Sequence, residues 1–175
     1  GTKLIAPTMK NDFNGSTTGA TILNTGGSTA TVDLDFTVTN VSSGCSQSVG
    51  HTTSDQVSID PGKSIVVNRF QNNTGDLDAC TFYSMTATSD QDIVMTVNEN
   101  RNFQGETVKA VYAGFNEASA TSKVFFPLVK EFFNGQTSGV SVVNAGNAAA
   151  QITATYTSSS GTYVMTTVDD VAVGQ

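Results

Sequence analysis

The residues that could support hydrolysis are few. A hydrolase needs a nucleophile, a base and a group that orients the base, all within reach of one another. The sequence contains one histidine, His51, which lies in the polar stretch 50–55. Such a stretch is typical of a solvated loop, so we expect His51 to be a surface residue and not a catalytic base.

Paired carboxylates are the next candidates for chemistry. The pairs are Asp33 with Asp35, Asp76 with Asp78, and Asp169 with Asp170. The first pair falls on the polar side of an alternating strand, where a solvated face is expected rather than the acid and base of a glycosidase. The other two could give oxygens to Ca²⁺, which takes about six to eight, although the sequence has no EF-hand spacing. We therefore predict a protein that is not an enzyme and has no cofactor, while Ca²⁺ binding stays open.

The two cysteines, Cys45 and Cys80, form an even pair without a Cys-x-x-Cys motif. We expect a disulfide rather than two buried thiols, and closing this loop would stabilise the chain by about 4 kcal/mol in the chain-entropy model. Two cysteines and one histidine are too few for a closed zinc site. Disulfides persist in oxidising compartments, so the pair predicts a secreted, extracellular or cell-surface protein. The start at Gly1 without a Met fits loss of a signal peptide, although a chain trimmed there would look identical.

The composition excludes several classes of partner. Charged residues make up 13% of the 175 residues, and 8 Lys and Arg stand against 15 Asp and Glu. The chain lacks the basic cluster needed for nucleic acid or an anionic membrane surface. It also lacks an apolar run of about 18 residues, so we predict no membrane insertion. β-Branched and turn-forming residues replace those that build long helices, which predicts an all-β fold.

An internal repeat organises the chain. Pro7 returns as Pro127, and this offset of 120 holds without a gap from residues 4–37 to residues 124–157, with 11 identities in 34 positions. If Gly62 corresponds to Gly174, the first copy carries about eight extra residues, which include Cys45. We divide the chain into segment A (1–62), segment B (63–120) and segment A′ (121–175). The prediction is one module over 1–120, followed by a half-module that copies segment A.

Strands are predicted from alternation and turn signals. In the stretch 29–39 every second residue is apolar, and the predicted inward residues are Ala30, Val32, Leu34, Phe36 and Val38. Further strands are predicted at 3–6, 17–24, 55–59, 63–68, 80–88, 92–99, 107–114, 123–127, 137–144, 150–156 and 161–168. Short strands at this spacing indicate an antiparallel β-sandwich.

Short turn-like motifs stand at Pro7, Asn14-Gly15, Thr18-Gly19, Asn24, Asp60-Pro61-Gly62 and Ser89-Asp90-Gln91-Asp92-Ile93-Val94, with a second set at Pro127, Asn134-Gly135, Ser138-Gly139 and Asn144. With these motifs, the order of segments A and B resembles a repeat found in tandem in secreted bacterial cell-surface proteins. The resemblance implies an extracellular Ig-like β-sandwich with an adhesive or structural role, and it implies no substrate and no catalytic residue. The cysteine-bearing insertion departs from the repeat.

Two further features of the sequence bear on possible partners. The densest aromatic cluster consists of Phe125, Phe126, Phe132 and Phe133. We expect these rings to pack in a core or across an interface, since a sugar-binding platform would need them exposed. Asn14, Asn40 and Asn72 each begin a glycosylation sequon, so glycosylation is permitted at these positions.

The half-module is the feature most informative about function. Half of a β-sandwich exposes an apolar face and unpaired edges. Segment A′ could pack on segment B within one enlarged domain, belong to a longer tandem array, or be completed by a neighbouring subunit through donor-strand complementation. The last option predicts a homopolymer: a structural subunit of an extracellular filament, pilus-like fibre or surface layer. The alternative is an adhesin that binds carbohydrate. The predicted interface residues are Val124, Phe125, Phe126, Phe132, Phe133, Val140, Val142, Ile152 and Tyr156.

Overall fold

The strands follow the alternating segments of the sequence. The computed structural model describes residues 1–71, 73–103, 106–167 and 169–175. These residues form eleven strands: β1 (Lys3–Asn11), β2 (Ser16–Asn24), β3 (Ala30–Val41), β4 (Thr52–Ile59), β5 (Ser64–Val67), β6 (Thr81–Ser89), β7 (Ile93–Phe103), β8 (Glu106–Ala113), β9 (Phe115–Asn116), β10 (Thr153–Ser158) and β11 (Gly161–Thr166). Two short 3-10 helices, Arg69–Gln71 and Glu117–Ser119, are the helical elements of this described part.

The first nine strands make two antiparallel sheets. One sheet has the order β4-β3-β6-β1-β9, and the other has the order β5-β2-β7-β8. β10 and β11 form a separate two-stranded hairpin. The fold is therefore all-β and antiparallel, with the architecture of a β-sandwich, as the sequence predicts. Within the described residues, no helix is long and apolar enough to cross a membrane.

The core lies between the two sheets and follows the predicted alternation. All five predicted inward residues of β3 are fully buried, while the intervening Asp33 and Asp35 are exposed. Phe36 meets Tyr83 of β6 edge to face, with their ring centroids 5.8 Å apart. An aromatic pair in this geometry contributes about 0.5–1.5 kcal/mol beyond the area it buries.

β1 is longer than predicted, because it continues through Pro7 to Asn11. Proline cannot donate to a β-ladder, so inside a sheet it is confined to edges and bulges. The pairing of β1 with β6 shifts register between Ala6 and Met9, and Pro7 lies in this irregularity. The bulge accommodates Pro7, so β1 continues beyond the residue at which the sequence pattern predicts that it ends.

Two predicted strands are wrong. Residues 123–127 and 137–144 have no strand conformation, although they copy parts of β1 and β2. The predictions at 150–156 and 161–168 correspond to β10 and β11, although β10 begins three residues later and β11 ends at Thr166; residue 168 lies outside the described residues. A strand is stable only with a partner on its ladder. The residues that pair with β1 and β2 lie mainly in β6 and β7, and segment A′ makes no corresponding ladder among the described residues.

Candidate assembly surface

Segment A′ reproduces the local hydrogen bonds of segment A. The side-chain nitrogen of Asn24 donates to the carbonyls of Ser28 (2.7 Å) and Ile59 (2.8 Å). The side-chain nitrogen of Asn144 donates to Ala148 (2.9 Å) and Val171 (2.8 Å). The NG turns also match, since Asn14 and Asn134 both have a φ of 50°. The copied sequence therefore specifies the same turns in both places.

The same bonds align the ends of the two copies. The Gly62 N–H donates to the Asn24 carbonyl at 3.0 Å, and the Gly174 N–H donates to the Asn144 carbonyl at 2.9 Å. Gly62 and Gly174 thus occupy equivalent positions. β10 and β11 are joined by a two-residue turn, whereas β3 and β4 are joined by a loop over residues 42–51. The extra residues of the first copy form this loop, which carries Cys45.

The surroundings of the two copies differ completely. Ile22 is fully buried in the core, whereas its copy Val142 is 50% exposed. Phe36 is fully buried, and its copy Tyr156 is 40% exposed. Ile5 is 4% exposed against 78% for Phe125. Residues that fill the core in segment A therefore face outward in segment A′.

We refer to the outward residues that were predicted for an interface as the assembly surface. It consists of the nine predicted interface residues: Val124, Phe125, Phe126, Phe132, Phe133, Val140, Val142, Ile152 and Tyr156. Ile152 is half-buried and the others are exposed. The four phenylalanines do not pack in a core of this chain, and their packing across an interface stays a prediction. Large contiguous patches of exposed apolar side chains mark sites of interaction, and these nine residues are our candidates for such a patch.

The pairing of segment A explains why segment A′ stays open. β1 and β3 do not pair with each other, because both pair with β6 between them. β2 pairs with β5 and β7. Within segment A, the ladder joining two strands is the β3–β4 hairpin. Segment A′ forms the corresponding hairpin, β10–β11, and in the described part of the chain its copies of β1 and β2 lack the ladders that hold those strands.

A turn at the end of segment A′ touches the sandwich. The Ser84 hydroxyl on β6 donates to the Gly174 carbonyl. This contact covers Ser84, which is 5% exposed although its neighbours Tyr83 and Met85 take the inward positions. The contact fixes the turn but leaves the assembly surface open.

The sandwich closes one of its own free edges with side-chain hydroxyls. β9 covers only Leu4 and Ile5 of β1. Farther along β1, the Tyr112 hydroxyl accepts from the Thr8 N–H (3.3 Å) and donates to the Thr8 carbonyl (2.6 Å). The Thr18 hydroxyl accepts from the Lys10 N–H (2.6 Å) and donates to the Lys10 carbonyl (3.3 Å). Unpaired edges invite strand addition, and these caps give the backbone groups of Thr8 and Lys10 partners within the sandwich.

These caps were not anticipated from the sequence. Burial raises the pKa of Tyr112 to about 12, which keeps its hydroxyl protonated and able to donate. Pro7 inside β1 is the sequence feature that could have predicted the caps. A proline interrupts a ladder, and the backbone groups left beside it need other hydrogen-bond partners.

The predicted disulfide is confirmed. Cys45 and Cys80 are bonded, with their Cα atoms 5.8 Å apart. Beside the bond, Gln47 donates from its backbone N–H to Asp78 (3.1 Å) and accepts from the Asp78 N–H (3.0 Å). The bond and these contacts join the loop over residues 42–51 to the segment before β6.

His51 belongs to the same loop. Its Nε2 lies 3.6 Å from Oδ1 of Asp76. A hydrogen bond from the Thr53 hydroxyl, opposed in part by desolvation, lowers the pKa of the Asp76 carboxyl, and His51 lowers it further. The Thr53 hydroxyl therefore contacts the Asp76 carboxylate. The cluster of His51, Thr53 and Asp76 joins the loop to its neighbours.

The carboxylates of the other predicted pairs lie at the surface. Asp33 accepts from the side chain of Gln56 at 2.7 Å on the exposed face of the sheet. Asp169 and Asp170 are exposed. Where the structure describes the chain, three or more His, Cys, Asp or Glu residues do not converge on a possible metal position.

The sequons are placed as follows. Asn14 is exposed at the NG turn, and Asn40 is exposed near the end of β3. Asn72 lies outside the described residues. Ser16 of the first sequon is buried at 3% exposure.

Comparison with protein-family models and with curated proteins finds no match. Among solved structures, the chain is similar to the crystal structure of Thermotoga maritima 1070, with 22% identity and a TM-score of 0.49. The similarity covers 65% of this chain and 91% of that chain.

Proposed function

We propose that this protein is a non-enzymatic structural subunit of an extracellular filament, pilus-like fibre or surface layer. Its segment A′ is completed by β-strands of a neighbouring subunit. The observation that carries this proposal is the contrast between buried residues of segment A and their exposed copies, such as Ile22 and Val142. A sequence that repeats a core face and leaves it outside a core is suited to burial by another molecule.

Completion of segment A′ would be favourable. Fully burying a large apolar side chain that was exposed contributes about 1.5–3 kcal/mol, and eight of the nine residues of the assembly surface are exposed. The surface and the strands that cover it would be different parts of the subunit, so the contact is heterologous. A heterologous contact generates an open filament unless its rotation closes a ring. Head-to-tail growth into a homopolymer is the simplest outcome.

The chemistry of the chain supports a place outside the cell. The disulfide is of a kind that persists in oxidising compartments. The net charge of −7 favours solubility of the subunit before it assembles. The exposed hydroxyl-rich faces of β3 and β4 suit a surface that remains in water.

The test is the oligomeric state of the native chain and of a variant with a charge on the assembly surface. We expect the native chain to form large oligomers visible by negative-stain microscopy and sedimentation, and Val142→Lys to abolish them. The matched control is Val94→Lys, because Val94 is similarly exposed (48%) but lies on the sandwich. A native chain that stays monomeric, or oligomers that survive Val142→Lys as they survive the control, would contradict the proposal.

A second candidate is an adhesin, or carbohydrate-binding surface module. It is favoured by the exposure of the four phenylalanine rings, which range from 52% for Phe126 to 79% for Phe132. Aromatic faces of this kind can stack on sugar rings. Binding to a glycan array that is lost in Phe132→Ala, with oligomeric state unchanged, would support the adhesin over the structural subunit.

A further inference from the structure

We infer that the outer face of the sheet β5-β2-β7-β8 binds a neutral glycan, in a depression that includes Gly19. The depression has a volume of about 330 Å³, and its lining comes from β2, β5, β7 and the segment that follows β5. It lies on the sandwich and not on segment A′. The inference therefore goes beyond the proposed assembly and does not depend on it.

Gly19 leaves a gap in this face of the sheet. In the pairing of β2 with β7, Gly19 stands opposite Asn98, and Thr17 stands opposite Asn100. A Cβ on Gly19 would meet Nδ2 of Asn68 at 3.5 Å as its nearest atom, which is ordinary van der Waals contact. Gly19 also has no positive φ. Neither crowding nor backbone conformation requires a glycine here, so its effect is the space that it leaves.

The segment after β5 directs a carboxamide towards this gap. Oδ1 of Asn68 accepts from the N–H of Phe70 (2.9 Å) and from the N–H of Gln71 (3.0 Å). These bonds orient the carboxamide so that its Nδ2 is the nearest atom to the missing side chain of Gly19. Asn73 accepts from the Asn68 N–H at 3.0 Å and donates to a carbonyl of β5 at 2.9 Å. A donor that is held in place beforehand reduces the entropy lost when a ligand binds.

The chemistry of the lining indicates an uncharged ligand. The described residues around the depression carry carboxamides, hydroxyls or apolar side chains, and none of them is charged. A charged ligand that lost water here would need a partner of opposite charge. Carboxamides and hydroxyls both donate and accept hydrogen bonds. The hydroxyls of a neutral sugar do the same, so the lining is complementary to such a ligand.

Phe70 adds an apolar surface to these polar groups. Its side chain is 73% exposed, and Val66, which also lines the depression, is 39% exposed. A sugar ring has C–H groups on its faces and hydroxyls around its edge. A ring that stacks on Phe70 can therefore present hydroxyls to the exposed carboxamides of Asn98 and Asn100. The combination of an aromatic ring with several carboxamides favours a glycan over a small polyol.

The position of the depression argues against a peptide strand as the ligand. Strand addition requires a free sheet edge, and β2 lies between β5 and β7 in its sheet. Recognition at this face must therefore use side chains. If the subunits assemble as proposed above, each would present the same depression, and several of them would bind one polymeric glycan with increased apparent affinity.

The main experiment applies the full chain to an array that carries neutral, sialylated and sulfated glycans. We expect binding to neutral glycans, and Gly19→Val and Phe70→Ala should each lower the affinity by about 10-fold or more. The matched control is Phe115→Ala, because Phe115 is 56% exposed on the sandwich but does not line the depression. Gly19→Val should leave the urea midpoint unchanged, because valine is favoured in strands and its Cβ has room.

A second measurement detects binding that is too weak for an array. The side-chain amide signals of Asn68, Asn98 and Asn100 are followed by NMR in the Val142→Lys chain, which we expect to be monomeric. The chain is titrated with neutral oligosaccharides of glucose, galactose or mannose. Shifts of these signals that are absent in Gly19→Val support the inference. Absence of shifts, together with absence of neutral glycans among the array ligands, overturns it.

Two further results would also overturn the inference. One is binding that Gly19→Val leaves unchanged, and the other is binding that is lost in Phe132→Ala but kept in Gly19→Val, which would place the glycan on segment A′. The assembly is judged separately, by oligomeric state. A monomeric chain that binds neutral glycans at this depression contradicts the filament alone, whereas a filament without such binding contradicts the glycan site alone.

Discussion

Asn24 and its copy Asn144 offer a matched test of how burial sets the value of the same hydrogen bonds. Both side chains donate to two carbonyls and accept from the N–H of a glycine two residues later, at 2.8 Å from Gly26 and 2.9 Å from Gly146. Asn24 is fully buried, whereas Asn144 is partly exposed. We predict that Asn24→Ala destabilises the sandwich strongly and that Asn144→Ala has almost no effect on it.

The magnitude follows from the groups that lose their partners. Ser28 is exposed, so water can replace Asn24 at that carbonyl. Ile59 is 2% exposed, so its carbonyl loses a bond that water does not replace. A buried unsatisfied group costs about 1–3 kcal/mol, and the cavity left by the side chain adds to it. We expect about 3 kcal/mol for Asn24→Ala and less than about 0.5 kcal/mol for Asn144→Ala.

The assay is thermal unfolding followed by circular dichroism, at concentrations where the chain is monomeric. A loss of 3 kcal/mol lowers Tm by about 10 °C for a sandwich of this size. Hydrogen exchange in β2 and β4 should report the same loss, because Asn24 joins their ends. Equal effects of the two substitutions, or an unchanged Tm for Asn24→Ala, would refute the argument from burial.

Three further changes test the sandwich. Tyr112→Phe removes the cap on the β1 edge and should lower the free energy of unfolding in urea by about 1–2 kcal/mol. The pKa of Tyr112 is raised from 10.0 to about 12, so the stabilisation by its hydroxyl is complete below about pH 10 and is lost as pH rises towards 12. The variant should lack this loss of stability at alkaline pH. Replacing Cys45 and Cys80 by serine should cost about 2–4 kcal/mol, and reductant should then have no further effect. Gly26→Ala should cost about 1–3 kcal/mol through overpacking, whereas Gly27→Ala, with no atom within 4 Å of its new Cβ, should leave the urea midpoint unchanged.

The sequence predicts the inner face of the sandwich well, because alternation has a period of two and a strand has two faces. Every predicted inward residue of β3 is buried. The disulfide was also predictable, since an even pair of cysteines without metal-ligand spacing has few other roles. These predictions need only local patterns and counts.

Contacts between distant residues were less predictable. Tyr112 contacts Thr8, which lies 104 positions away in sequence. No local pattern predicts a hydroxyl that bonds to both the N–H and the carbonyl of one residue. Pro7 led to a strand that ended too early, because the bulge that accommodates it depends on the register with β6. The predicted strands at 123–127 and 137–144 failed because a pattern specifies a face but not a partner.

The β10–β11 hairpin forms strands, whereas the rest of segment A′ does not, and this contrast shows which strands need only local contacts. The hairpin closes through a two-residue turn, so its ladder carries little loop-closure entropy. β1 pairs with β6 about 80 residues away, so its ladder needs the part of segment B that contains β6. Yet Asn144 and the NG turn at Asn134 already hold the geometry seen in the finished sandwich. Turns that are ordered beforehand reduce the entropy lost on association, so strands of a neighbouring subunit that completed segment A′ would have to order only the residues between these turns.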